Sequence, residues 1–399
     1  MPLKYDKDVI NEYAKKEGFI RDTLEKVMRL AEVLSFISEN EMLSKNLVLK
    51  GGTAINLFYL DNMPRLSVDI DLDYTNPSRD VMLSERPRIR GQIEKYMFAA
   101  GYELSGSSKT PDALDSFVYK FENAGNVRDN IKIEINYGMR SHVLPFQRTT
   151  LETLGCLKEA TISSVAPEEL FASKTVALLS RTASRDLFDL YNVSIQYGET
   201  MDKDMYRKCV VFYSATKGNT STKFDLDCLD KLTPYVIKKD LLPFLRRGQH
   251  VDLDNIKTHV RDFLTETLCF KDNEKEFLEK FSEGRYVPEL IFGKNCISEK
   301  MKEHPMANWK IQKIQEQIKG IKIEDAAIGD SRYSGKICNI TDNYFAQQHG
   351  TSKIIRHHYV NVDKADIKLG DDVIVRYKNG RGNVSSIPKE KGLKGELEL

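Results

Sequence analysis

Apolar side chains recur every three or four positions through residues 6–40, where Leu24, Val27, Met28, Leu30, Ala31, Val33, Leu34 and Ile37 are separated by Lys, Arg and Glu. That period predicts helix. The pattern then breaks. A short apolar run, Leu47, Val48 and Leu49, leads into Lys50-Gly51-Gly52-Thr53, after which Ala54 to Leu60 reads as the start of a helix. Leu66 to Tyr74 alternates apolar and polar residues as a strand does, residues 85–103 predict a helix, and 117–122 and 131–137 alternate like paired strands. Residues 167–196 form a strong helical stretch, with Pro167 suited to a first turn and Glu168 and Glu169 favoured by the positive end of the helix dipole. Residues 200–298 read as mostly helical, broken at Pro234, Pro243 and Pro288, and 300–325 as a Lys/Glu/Gln-rich helical connector. After Asp330 short β-rich runs (335–340, 343–348, 353–360 and 372–377) alternate with turns, and Asn379-Gly380 fits a type I′ hairpin.

The pattern predicts an α/β (α+β) core over residues 1–198, a helical region over 199–299, a helical linker over 300–329 and a small β-barrel over 330–399. The 399 residues, 41% of them hydrophobic and 30% charged, suit such an array of soluble domains. Sixty Lys plus Arg against 59 Asp plus Glu leave a net charge of +1, so contact with a nucleic acid would need local patches rather than a global field. One such patch is Lys238, Lys239, Arg246 and Arg247, which reads first as a solvated face. The six cysteines show no Cys-x-x-Cys pair and no zinc-ligand spacing, and read as reduced thiols of a cytoplasmic protein. The polar N-terminus has no signal-like apolar core, and no apolar run approaches the ~20 residues that span a bilayer, so no membrane association is expected. His357 and His358 are adjacent, so on a strand they face opposite ways and form no metal pair.

The chemistry concentrates at two places. Along a strand Asp69, Asp71 and Asp73 share one face, with Val68, Ile70 and Leu72 on the other. Aspartate is disfavoured in strands and same-face carboxylates repel, which a divalent cation would relieve. Mg²⁺ takes hard oxygen ligands, shared between carboxylates and substrate phosphates. The Gly51-Gly52 turn lets backbone N–H groups approach a phosphate, and Thr53 adds a hydroxyl near a helix N-terminus. At ~100° per residue, Lys174, Arg181 and Arg185 fall within roughly 40° of one another on a continuous helix, Asp189 about 60° from Lys174 and Asp186 about 120° away. Lys174 and Asp189 would then face a cleft together, and Asp186 would not.

Leu49-Lys50-Gly51-Gly52-Thr53 followed by Arg65-x-Ser67-x-Asp69-x-Asp71 resembles the first motif of the AbiEii-type, MenT-like toxins, which belong to the DNA-polymerase-β-like nucleotidyltransferase superfamily. The run from Lys174 through Arg181, Arg185, Asp186 and Asp189 to Tyr191 resembles their later motif. The resemblance implies a nucleotidyltransferase core and a metal, Mg²⁺ or Mn²⁺, on Asp69 and Asp71, with Glu134 of the neighbouring strand as third carboxylate. Asp73, outside the pair, reads as peripheral. The nucleotide would lie on Gly51, Gly52, Thr53, Ser67, Lys174 and Arg185. Asp189 would be required catalytically, either as general base or to orient Lys174. The tail, from Tyr333 and Gly335 through Gln347 and His357 to Tyr377, resembles KfrB-type small β-barrel domains of plasmid proteins.

By that resemblance the chain would move a nucleotide from an NTP to an acceptor hydroxyl, that of the tRNA 3′ end or another RNA. It would do so as the toxin of a toxin–antitoxin or abortive-infection system in antiviral defence, with a winged-helix antitoxin as partner. Two rivals stand beside it: a small-molecule (antibiotic-type) nucleotidyltransferase, which needs no RNA, and a nucleotide-binding regulatory protein without turnover, which releases no pyrophosphate.

Overall fold

The acidic strand lies at the centre of a seven-stranded mixed sheet. In the computed structural model, which describes residues 4–111, 113–151, 154–318, 321–340, 344–363 and 366–387, the strands are β1 (Leu47–Lys50), β2 (Asp69–Tyr74), β3 (Glu103–Leu104), β4 (Leu114–Glu122), β5 (Arg128–Asn136), β6 (Gln147–Thr150) and β7 (Thr161–Ser164). Their order is β3-β4-β5-β2-β1-β7-β6. β2 runs antiparallel to β1, pairing Lys50 with Asp71, and parallel to β5, pairing Asp71 with Glu134. Alternation sends Ile70, Leu72, Ile133 and Ile135 to a fully buried face, leaving the acids on the other.

Helix α2 (Arg21–Glu39) packs its buried Leu24, Val27, Leu30 and Leu34 against this sheet, touching β5 and β7. It is preceded by α1 (Lys7–Glu17) and followed by α3 (Glu41–Asn46). The single helix expected over 6–40 is two, because Gly18 adopts a left-handed φ of 78° and caps α1. α4 (Gly51–Ala54) begins at the glycine turn itself, earlier than Ala54, and runs on into a π-helical turn, Ile55–Tyr59. α5 (Arg79–Ala99) follows β2, capped by the Ser78 hydroxyl on the Val81 N–H.

The long helix expected over 167–196 is also two: α6 (Pro167–Arg181) and α7 (Ser184–Tyr197). Thr182 takes a left-handed φ of 50° and ends α6. α8 (Lys203–Lys217) packs on α6, while α9 (Pro234–Asp240) and α10 (Leu253–Thr267) pack on α7. Arg246, from the basic patch, is spent internally: its guanidinium donates to the carbonyls of Asn62 and Met63 and lies over the Phe19 ring.

The chain divides into two compact units. The first comprises Met1–Lys217, Asp225–Cys269 and Ile291–Trp309, and the second Gly218–Phe224, Phe270–Leu290 and Lys310–Leu399. The second unit holds α11 (Asp272–Ser282) and a six-stranded sheet of β8 (Lys322–Asp325), β9 (Ser331–Ile340), β10 (Tyr344–His349), β11 (Lys353–His358), β12 (Asp372–Lys378) and β13 (Arg381–Ser386), in the order β13-β12-β9-β10-β11-β8. β8 occupies the end of what the sequence presents as a helical connector. The Asn379-Gly380 turn joins β12 to β13 with φ of 50° and 81°, both positive as the hairpin requires. The core gathers Ile337, Phe345, Val362, Val373, Val375 and Tyr377. The fully buried His357 ring stacks on Phe345 and Tyr377, whereas His358 is turned out to Asp325. A cleft of about 780 Å³ in this unit has isoleucines (Ile314, Ile318, Ile321 and Ile323) in its wall, with Arg285 and Lys353 beside them. Position 343, the expected start of one strand, and residues 388–399 lie outside the described residues.

Candidate active site

The glycine turn and the acidic strand meet at one carboxylate. Gly51 has a φ of +73°, and a Cβ built on it would overlap the Asp71 carboxylate. Gly52 is closed in as well, since its Cβ would stand 2.7 Å from Nη2 of Arg65. Both positions therefore need glycine for space, and Gly51 also for its backbone angle. Thr53 is fully buried, and its hydroxyl is committed within the protein: it donates to the carbonyl of Asp69 and lies 3.0 Å from Oγ of Ser67. Thr53 and Ser67 thus clamp the turn to the strand. What the turn itself presents is the first turn of a helix, whose N–H groups have no helical acceptor.

Asp69, Asp71 and Glu134 lie near one another on the polar face of β2 and β5. Burial, with Asp69 and Glu134 close by, pushes the Asp71 carboxyl above its usual range, against the pull of Lys50 and Lys174. Lys132, in register with Asp69, bonds Glu134 at 2.9 Å. Although burial opposes its charge, Glu134, Asp69 and Asp71 hold its ammonium above the usual lysine range. Asp73, next along the same face, is 1% exposed, and its Oδ1 accepts from Lys50 at 2.6 Å and Asn136 at 2.8 Å. Its Oδ2 lies 3.5 Å from Nε2 of His142, whose Nδ1 is 2.9 Å from Glu169. Glu169 also accepts from the backbone of Val143 and Leu144 and from the Tyr213 hydroxyl. It is a buried anchor rather than a surface charge at a helix start.

The break between α6 and α7 reorders the later motif. Lys174 lies 2.9 Å from Asp186 and 3.0 Å from Asp189, so both carboxylates flank it. A continuous helix would have turned Asp186 away; the left-handed Thr182 re-aims α7 and brings it in. Arg181 closes on Asp186 with two bonds, at 2.7 and 3.0 Å. Despite burial, Lys174 and Arg181 draw Asp186 down to about 2. Asp189, fully buried, accepts from Arg65 at 2.7 and 2.6 Å, Asn56 at 2.9 Å and Lys174. Burial opposes its charge, but Arg65 and Lys174 more than offset that and lower its pKa. Arg185 is not drawn into this cluster: its guanidinium lies over the Phe244 ring, 5.1 Å from the centroid.

The structure thus brings together Gly51, Gly52, Thr53, Ser67, Asp69, Asp71 and Glu134 around the turn, and Lys174 with Asp189 behind it. It adds Arg65, Asn56, Lys50, Lys132, Arg181 and Asp186. Lys50 and Arg65 stand within the first motif of the sequence, though without a role assigned there. Asn56 carries no periodic signal.

Among the described residues, no three His, Cys, Asp or Glu side chains gather as a ready cation cage. The donor set nevertheless suits a hard cation that takes only part of its shell from protein. Asp71 and Glu134 sit side by side in register, Asp69 is two residues along the same face, and the burial of Asp71 favours its neutralisation.

Residues 37–285 match the family model described as "Nucleotidyl transferase AbiEii toxin, Type IV TA system". The match spans well over half of the chain, which belongs to this family of nucleotidyltransferases. Membership implies an NTP substrate and an antitoxin partner. Residues 332–386 match the KfrB domain. Among solved structures the fold is similar to that of MenT4, a nucleotidyltransferase toxin of Mycobacterium tuberculosis H37Rv, at 14% identity and a TM-score of 0.53, over 78% of this chain and 99% of that one. No curated protein matches the chain. No helix among the described residues is long and apolar enough to cross a membrane.

Proposed function

We propose that the chain transfers a nucleoside monophosphate from an NTP to the 3′-terminal hydroxyl of an RNA, tRNA above all, and that this is its toxic act, held in check by a winged-helix antitoxin. The observation that carries the reading is the approach of the Gly51 backbone to the Asp71 carboxylate. A helix N-terminus and a carboxylate pair meet there, which is the pairing that nucleotidyl transfer needs.

In this reading the NTP phosphates lie against Gly51 and Gly52 at the start of α4. Asp69 and Asp71, with Glu134 beside them, would hold Mg²⁺ or Mn²⁺, which would neutralise charge on the phosphates and the departing pyrophosphate. The acceptor oxygen forms its bond to the α-phosphorus as the bond to the β-phosphate bridging oxygen breaks. The hydroxyl proton leaves to solvent or to a carboxylate of the β2–β5 face.

We assign Asp189 to orientation rather than proton transfer. Its oxygens accept from Arg65, Asn56 and Lys174, and a carboxylate so bonded and of lowered pKa is a poor base. Asp189 and Asp186 together fix Lys174, whose charge reaches Asp71.

Periodate-treated tRNA, which has lost its 3′-terminal diol, tests the acceptor. Pyrophosphate release that needs intact tRNA and stops with oxidised tRNA supports the reading. Release that is indifferent to the oxidation removes the 3′ hydroxyl as acceptor.

A further inference from the structure

The cations around the acids are not equally placed to meet a substrate. Lys174 is 7% exposed and lies between Asp186 and Asp189. Arg181 is bonded twice to Asp186, and Lys132 is bonded to Glu134. Lys50 differs. It is the last residue of β1, immediately before Gly51, and stands opposite Asp71 in the antiparallel register, so the two side chains share a face. Its side chain is 28% exposed, and its Nζ lies 2.6 Å from Oδ1 of Asp73.

An ammonium carries three donors on a flexible stem, so one bond to Asp73 leaves it others to offer. Asp73 in turn has Asn136 on the same oxygen and His142 near the other. We propose that Lys50 is a substrate-binding residue: held by Asp73 at the mouth of the glycine turn, its ammonium donates to the phosphate oxygens of the incoming NTP. The inference rests on the nucleotidyl-transfer reading above. Its physical basis is that a phosphate cradle built on backbone N–H groups gains most from a cation at its lip, and Lys50 is the cation that the sheet register delivers there. Lys50 is also the foremost of the charges that pull the Asp71 carboxyl down.

The rival to exclude is a structural lysine that only neutralises Asp73. Binding of each of ATP, GTP, CTP and UTP with Mg²⁺ is measured by titration calorimetry on the full chain, its Lys50→Met and Lys50→Arg variants, and the double variant Lys50→Met/Asp73→Asn, with melting temperatures alongside. Expected are a loss of at least about tenfold in NTP affinity for Lys50→Met, affinity within a few-fold of the parent for Lys50→Arg, and a double variant that recovers melting temperature but not affinity. Recovery of affinity in the double variant overturns the proposal, as does full affinity in Lys50→Met. If the unmutated chain binds no NTP at all, the transferase reading fails and this proposal goes with it.

Discussion

Arg65 grips Asp189 through two parallel hydrogen bonds, Nε to Oδ1 at 2.7 Å and Nη2 to Oδ2 at 2.6 Å, with both side chains out of water. The pair joins the segment that leads into β2 to α7, so the residues around the glycine turn and those around Lys174 are held in one frame. Removing one partner of a buried ion pair leaves the other charge stranded, at a cost of about 3–5 kcal/mol. Arg65→Ala is expected to lose that much in urea denaturation. Arg65→Lys should recover only part of it, because an ammonium cannot reproduce the planar two-point grip.

Asp71 should behave in the opposite way. Its folded-state pKa is raised, so its contribution to stability is present below the unfolded value and lost as pH rises through the folded one. At neutral pH the ionised form is a burden. Asp71→Asn is therefore expected to melt at the same temperature as the parent or higher, while nucleotide transfer falls by about 10²–10³-fold through loss of several kcal/mol of charge stabilisation. Parallel melting curves and label-transfer rates check both halves.

Much of this site can be read from the chain. Alternation alone puts Asp69 and Asp71 on one face, and the glycine pair marks the turn. The later motif is less legible, because a helical wheel assumes one straight axis. Thr182-Ala183-Ser184 interrupts it, and the Ser/Thr content of that triplet is the local hint of a helix boundary. The change of axis brings Asp186 to Lys174. The chain from Tyr213 through Glu169 and His142 to Asp73 is illegible for a different reason: its members come from separate elements, and only the tertiary fold brings them within bonding distance.

Gly51→Ala tests the close approach of turn and strand. A Cβ would collide with the Asp71 carboxylate, and the left-handed backbone adds about 1–2 kcal/mol of strain. The expected result is a stability loss of at least that size, with transfer reduced by tenfold or more. Gly155→Ala is the control: it also has positive φ, but its Cβ would meet nothing within 4 Å, so it should show the strain without the loss of transfer.

The second unit should weaken in mild acid. Burial, with His349 and His358 nearby, lowers His357 to about 4. Between the ordinary histidine value of about 6.5 and 4, the unfolded state binds a proton that the folded state refuses, so stability is full above about 6.5 and falls as pH drops toward 4. The loss should total about 3 kcal/mol. Hydrogen exchange of residues 331–386, corrected for intrinsic rates, should show protection falling over that interval, and His357→Gln should flatten the slope.

The most direct measurement supplies each α-³²P-labelled NTP in turn, with Mg²⁺ and total bacterial RNA, to the chain and to its Asp69→Ala/Asp71→Ala variant. Label on tRNA-sized RNA with the unmutated chain, absent with the variant, is the predicted result and identifies the nucleotide. Label that persists at the same level in the variant, or that never appears on RNA with any NTP, would contradict it.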